Sequence, residues 1–226
     1  MYSAVEILRL AGEYHFDEVR EYLEAGGNRE VYDGYGNSLL SLIIKGYYAH
    51  EYLDPDEAAL YKKEEEEARL HSNVDRYSRV PLDERPHRIK EQIEYLLDKG
   101  IGINSVGWQE ASRYWKDSPM VETPLLWAVV YMDYGMVKYL LEKGADPGVR
   151  MFSDEDYSVY DGQEYWLMDH LAYYLLDDFI GDAAVNIVDI MALLMHHGLE
   201  QWSGLFDIDV DHERRIISIP GYSCGY

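Results

Sequence analysis

The residues best suited to chemistry in this chain are its carboxylates and histidines, and their spacing points away from catalysis. Asp207, Asp209, Asp211 and Glu213 recur at every second position, which invites a calcium loop. An EF-hand loop needs glycine at its sixth position and a bidentate glutamate at its twelfth. Counted from Asp207, those positions hold His212 and Ser218. Carboxylates on the wet face of a strand account for the alternation better. His196 and His197 are adjacent, and neighbouring helix positions point about 100° apart, so they do not converge on one ion. A helix C-terminus favours histidine through its dipole. His170, beside Asp169, reads as a packed helical residue. No P-loop, nucleophile elbow or H-E-x-x-H occurs. Acidic pairs are so numerous that none stands out as a glycosidase dyad. The expectation is a non-enzyme with no catalytic residue, no metal and no cofactor.

Recognition chemistry is better represented. The chain holds 22 tyrosines and five tryptophans. Tyrosine combines a large apolar face, a polar tip and few rotamers to lose, which suits binding surfaces. Tyr22, Tyr95 and Tyr139 sit at equivalent places in apolar helical patterns and are expected in the core. Tyr32, Tyr35, Trp108, Tyr114, Trp115, Tyr157 and Tyr160 fall in connections, and Asp33, Asp154, Glu155 and Asp156 accompany them. These eleven residues are the candidate partner-binding set. The competing reading is that long loops also need aromatics to pin them down.

The 43 acidic and 20 basic residues give a net charge of −23. Such a field repels nucleic acid and anionic membrane and attracts basic proteins; solubility is the simpler explanation. The single cysteine, Cys224, excludes an internal disulfide and fits a reducing compartment. The first residues carry Glu6 and no basic run, unlike a signal peptide. No window reaches the roughly 20 apolar residues of a spanning helix. A cytoplasmic monomer is expected.

The elements that must position these residues are helix pairs. In Glu122–Asp146, ETPLLWAVVYMDYGMVKYLLEKGAD, Thr123-Pro124 starts one helix, since threonine caps and proline is tolerated in the first turn. Gly144 ends the next in the left-handed conformation. Leu125, Leu126, Ala128 and Val129 form one apolar stripe, and Met136, Val137, Leu140 and Leu141 the other. Gly26, Gly100 and Gly198 close similar patterns, each with apolar residues seven, four and three positions earlier.

This arrangement resembles the ankyrin repeat, whose hallmark is T-P-L-H-x-A followed by a second helix and a Gly-Ala-Asp turn. Trp127 and Ala128 match the end of the hallmark, and Leu126 replaces the histidine. The four glycines lie 74, 44 and 54 residues apart, against about 33 for a standard repeat, so insertions are expected. The resemblance implies an all-α helical solenoid of about four degenerate repeats in one domain. Repeat 1 spans about residues 3–32. Repeat 2 spans 33–104, with an insertion at 48–86 that could conceal a further repeat. Repeat 3 spans 105–150 and repeat 4 spans 151–202.

Ser3 with Glu6 marks the first helix start as a capping box, and Ser38-Leu39 stands in for threonine-proline in repeat 2. Asp54-Pro55-Asp56-Glu57 starts an inserted acidic helix running to about His71, whose charge run Lys62–Glu67 reads as a solvated face. Residues 164–177 and 183–197 form the last helix pair. Residues 205–211 and 216–219 form a β-hairpin cap within residues 203–226, since a solenoid's last repeat would otherwise expose its apolar face.

In ankyrin-like arrays the turns between repeats project as fingers on the binding side, which is where the resemblance places the eleven candidates. The function it implies is non-enzymatic binding of a protein, with acidic and aromatic fingers meeting a basic surface. An inhibitor or immunity-type protein is the sharpest version. A scaffold whose acidity serves solubility, or a small enzyme or metal protein on a helical array, are the other readings.

Overall fold

Among the described helices of this protein, four begin on a hydroxyl or carboxylate cap and four end on a left-handed glycine. The computed structural model describes residues 2–48, 88–107, 122–148, 150–152, 164–176, 183–200, 208–211, 216–219 and 222–225. The helices are α1 (Ala4–Gly12), α2 (Phe16–Glu24), α3 (Leu39–Tyr48), α4 (Arg88–Asp98), α5 (Pro124–Val130), α6 (Tyr134–Glu142), α7 (Leu167–Leu176) and α8 (Ala183–His196). Strands β1 (Arg150–Phe152) and β2 (Glu164–Trp166) precede α7. Strands β3 (Asp209–Asp211), β4 (Ile216–Ile219) and β5 (Tyr222–Gly225) follow α8. The expected insertion helix at Asp54–His71 lies outside the described residues.

The first helix turns are capped in the same way at Ser3, Ser38 and Thr123, while the start expected at Asp54 lies outside the described residues. Ser3 Oγ accepts from the Glu6 amide at 3.2 Å, Ser38 Oγ from Ser41 at 3.2 Å, and Thr123 Oγ1 from Leu126 at 3.2 Å. Asp133 Oδ1 does the same for Met136 at 3.1 Å. Each bond satisfies one of the amides that a helix start leaves without a partner. Thr123→Ala is expected to destabilise the protein by about 1 kcal/mol. Thr123→Ser should restore most of that loss, both read from urea midpoints.

Four helix ends are near copies. Gly26, Gly100, Gly144 and Gly198 have φ of +82°, +81°, +89° and +94°. At each, the glycine amide donates to the carbonyl three residues back, at 2.8–3.1 Å, and the next amide donates to the carbonyl five residues back, at 2.9–3.1 Å. This double bond pattern is the Schellman closure, which needs a left-handed residue. The residues seven and four positions before each glycine are buried: Val19 and Tyr22, Ile93 and Leu96, Val137 and Leu140, Met191 and Leu194. The turns between helices repeat too. Tyr14 and Met132 both take left-handed φ, 61° and 52°, between α1 and α2 and between α5 and α6.

The described residues up to Trp127 belong to one compact unit and those from Ala128 onward to another. In the first, α1 packs on α2 and α3, and α3 on α4. Helix α3 is buried on every side except at Lys45, as a helix apolar all round must be. The Tyr14 hydroxyl donates to Gln92 Oε1 at 2.7 Å and ties the α1–α2 turn to α4. In the second unit, α8 packs on α6, α7 and β5.

The described residues are mainly helical, as the patterning requires, with short antiparallel pairings added. The C-terminal hairpin forms with Asp209 opposite Ser218 and Asp211 opposite Ile216. Unforeseen, β5 extends it on the other side of β4, with Ile216 opposite Gly225. Glu164–Trp166, expected to begin a helix, instead pairs as β2 with β1. Helix α7 therefore starts at Leu167, where the Trp166 amide donates to Asp169 Oδ2 at 3.0 Å. Two of the three tyrosines expected in the core, Tyr95 and Tyr139, are only half-buried. Arg20 and Lys99 lie over the first ring and Lys143 over the second, so each is an apolar platform for a cation.

Candidate partner-binding finger

Three of the eleven candidates, Tyr32, Asp33 and Tyr35, share one turn ahead of α3. The other eight (Trp108, Tyr114, Trp115, Asp154, Glu155, Asp156, Tyr157 and Tyr160) lie outside the described residues. The turn is closed at its base by a bridge between Tyr32 and Ser38. The Asp33 amide donates to the Asn37 carbonyl at 3.1 Å, and the Gly36 amide to the Asp33 carbonyl at 3.1 Å. Gly36 takes φ +85°, which a residue with a Cβ would adopt only under strain.

Asp33 holds this turn from inside. Its Oδ1 accepts from the amides of Tyr35, at 2.9 Å, and Asn37, at 2.8 Å, and its Oδ2 from Asn37 Nδ2 at 2.9 Å. Aspartate commonly builds turns through bonds to amides just ahead of it. Three donors occupy the carboxylate, so Asp33 shapes the finger more than it offers a charge to a partner. Tyr32 is half-buried. Tyr35, at the tip, is 49% exposed and is the side chain the finger presents.

Sequence reasoning missed the residues that anchor this turn. Asn37 is buried, and its Nδ2 reaches both Asp33 and Glu122 Oε2, the latter at 2.8 Å. Two carboxylates around one amide end fix its orientation, because the flipped amide would turn its oxygen toward both. Its Oδ1 accepts no hydrogen bond from a described residue. Glu122 Oε2 also accepts from Lys45 Nζ at 3.0 Å, and the Glu122 carbonyl accepts from the Ser41 hydroxyl. Lys45 Nζ lies 4.5 Å from the centre of the Trp127 ring. The neighbouring segment pairs with the finger: Asn37 bridges Val106, and the Gly107 amide donates to the Gly36 carbonyl at 2.9 Å. A signal did exist in the sequence. Asn37 and Glu122 each immediately precede a capping residue, Ser38 and Thr123, so they occupy matching positions.

Of the residues weighed for metal chemistry, Asp207, His212 and Glu213 lie outside the described residues. Asp209 is exposed on β3, as a wet strand face requires. The His196 and His197 rings meet edge to face at 5.5 Å. Among the described residues no group of three or more His, Cys, Asp or Glu side chains could hold a metal ion, and no helix is long and apolar enough to cross a membrane. Burial pushes the His170 imidazole down to about 4, so it stays neutral at pH 7.

Residues 122–151 match the family model of the ankyrin repeat. No curated protein and no solved structure matches the chain.

Proposed function

From the ankyrin repeat at residues 122–151, a protein–protein interaction module, we propose that this chain is a non-enzymatic binding protein whose acidic, aromatic fingers engage a basic partner protein. The observation that carries this reading is the finger itself: a turn braced by four hydrogen-bonded residues with Tyr35, 49% exposed, at its tip. The chain as a whole carries a net charge of −23. Long-range charge would steer encounter with a basic surface, and a rigid aromatic anchor would slow dissociation. The four matching glycine closures support a reading of about four irregular repeats, with boundaries near residues 32, 104, 150 and 202. The sharpest form of the proposal is an inhibitor or immunity-type protein, acting as a cytoplasmic monomer, that covers the basic cleft of a nuclease-like toxin.

The test is capture of partners from the source cell's lysate at low salt, followed by a salt gradient. A basic protein eluting between about 0.1 and 0.5 M salt is expected, because the screening length shrinks from about 10 Å to a few Å across that range. The eluted protein, purified, should bind with an affinity that falls steadily with salt. A partner that is acidic or neutral, or one whose affinity is indifferent to salt, overturns the charge-steered reading.

A further inference from the structure

We infer that Glu122 is a positioning residue for the Tyr35 finger, holding a binding turn that lies 85 residues away in sequence. The inference rests on the binding role proposed above but concerns the turn's own order, which can be measured without any partner. The connection runs through a single side chain. Asn37 Nδ2 donates to Asp33 Oδ2 at 2.9 Å and to Glu122 Oε2 at 2.8 Å, and Asp33 in turn collects the Tyr35 and Asn37 amides.

Glu122 is itself held from two further directions. Lys45 Nζ meets the same Oε2 at 3.0 Å, and the Ser41 hydroxyl donates to the Glu122 carbonyl. Both come from α3, the helix that starts just after the finger. The side chain of Glu122 is 11% exposed and that of Lys45 38%, so the carboxylate sits on the inner side of the pair. A bond to a charged acceptor in such a place is stronger than one between neutral groups. Glu122 also directly precedes the Thr123 cap of α5, so a well-formed helix start fixes its backbone. One carboxylate thereby registers the finger against the beginning of the next repeat.

Amide hydrogen exchange, read residue by residue, tests this. In Glu122→Ala the amides of Tyr35, Gly36, Asn37 and Gly107 are expected to exchange about tenfold to a hundredfold faster, the range set by one hydrogen bond to a charged group. Amides in the middle of α1 and α6 should keep their rates. Glu122→Gln keeps an acceptor for Asn37 and should restore the finger's protection, although it removes the charge facing Lys45. Should Glu122→Ala fail to fold, the paired change Glu122→Met with Lys45→Met leaves no lone buried charge and should show the same local loss. Unchanged exchange at the finger, or a uniform acceleration across the whole first unit that Gln fails to reverse, overturns the assignment. Since no partner enters the experiment, its failure leaves the proposed binding role standing. Conversely, loss of that role leaves the exchange result intact.

Discussion

Tyr35→Ala should weaken binding of the basic partner by about thirtyfold or more, the effect of removing an aromatic hot spot worth roughly 2 kcal/mol. Tyr35 is 49% exposed at the tip of its turn, and substitutions of exposed residues usually stay within about 0.5 kcal/mol of neutral for stability. Affinity and stability should therefore separate: a large change in Kd and an almost unmoved urea midpoint. Tyr35→Phe keeps the apolar face and should retain most of the affinity. Asp33→Ala should behave differently. It removes an acceptor that holds two amides and the Asn37 side chain, so the turn loosens, and affinity and local order fall together. Val5, 80% exposed on α1, serves as the control, since single exposed apolar residues are ordinary. Isothermal titration with the purified partner decides the matter. A Tyr35→Ala variant that binds as well as the parent removes the finger from the interface.

The parts of this molecule legible in the sequence are those written by local rules. The caps at Ser3, Ser38 and Thr123 and the closures at Gly26, Gly100, Gly144 and Gly198 are set by residues within a turn of each other. A short window of sequence therefore contains their whole cause. The apolar positions before each glycine were readable for the same reason. What stayed hidden is what the fold brings together from afar. Asn37 and Glu122 look like loop residues until α3 and the start of α5 place them 2.8 Å apart. Asp33 read as a surface charge because its identity says nothing of the three donors gathered around it. Strand β2 reads in sequence as the start of a helix because Glu164–Trp166 is continuous with the apolar pattern of α7, and only pairing with β1 separates them. Strand β5 was invisible for a related reason. Tyr222–Gly225 contains a glycine and two small residues, a poor strand by propensity, and its pairing with β4 supplies what composition does not.

The pH dependence of stability offers a prediction that needs no partner. His170 is buried in α7, and desolvation lowers its imidazole from 6.5 to about 4. At pH 7 the folded ring is neutral and the unfolded one only about a quarter protonated, so the slope there is small. As the pH falls below 6.5 the unfolded chain gains a proton that the folded one refuses until about pH 4, so acid favours unfolding throughout that window. At about 1.4 kcal/mol per unit, the loss should reach about 2 kcal/mol at pH 5 and about 3 kcal/mol near pH 4, then level off. Other groups titrate over the same range. Protonating carboxylates on a chain of net charge −23 relieves self-repulsion and acts in the opposite direction. The comparison must therefore be between the parent and His170→Gln, which shares every other titrating group. Whatever offset Gln introduces at pH 7, the difference between the two unfolding free energies should shift by about 3 kcal/mol in the variant's favour between pH 7 and pH 4. Parallel curves would mean that the imidazole of the folded protein takes up its proton as readily as that of the unfolded chain. In that case burial in α7 would not be keeping His170 neutral.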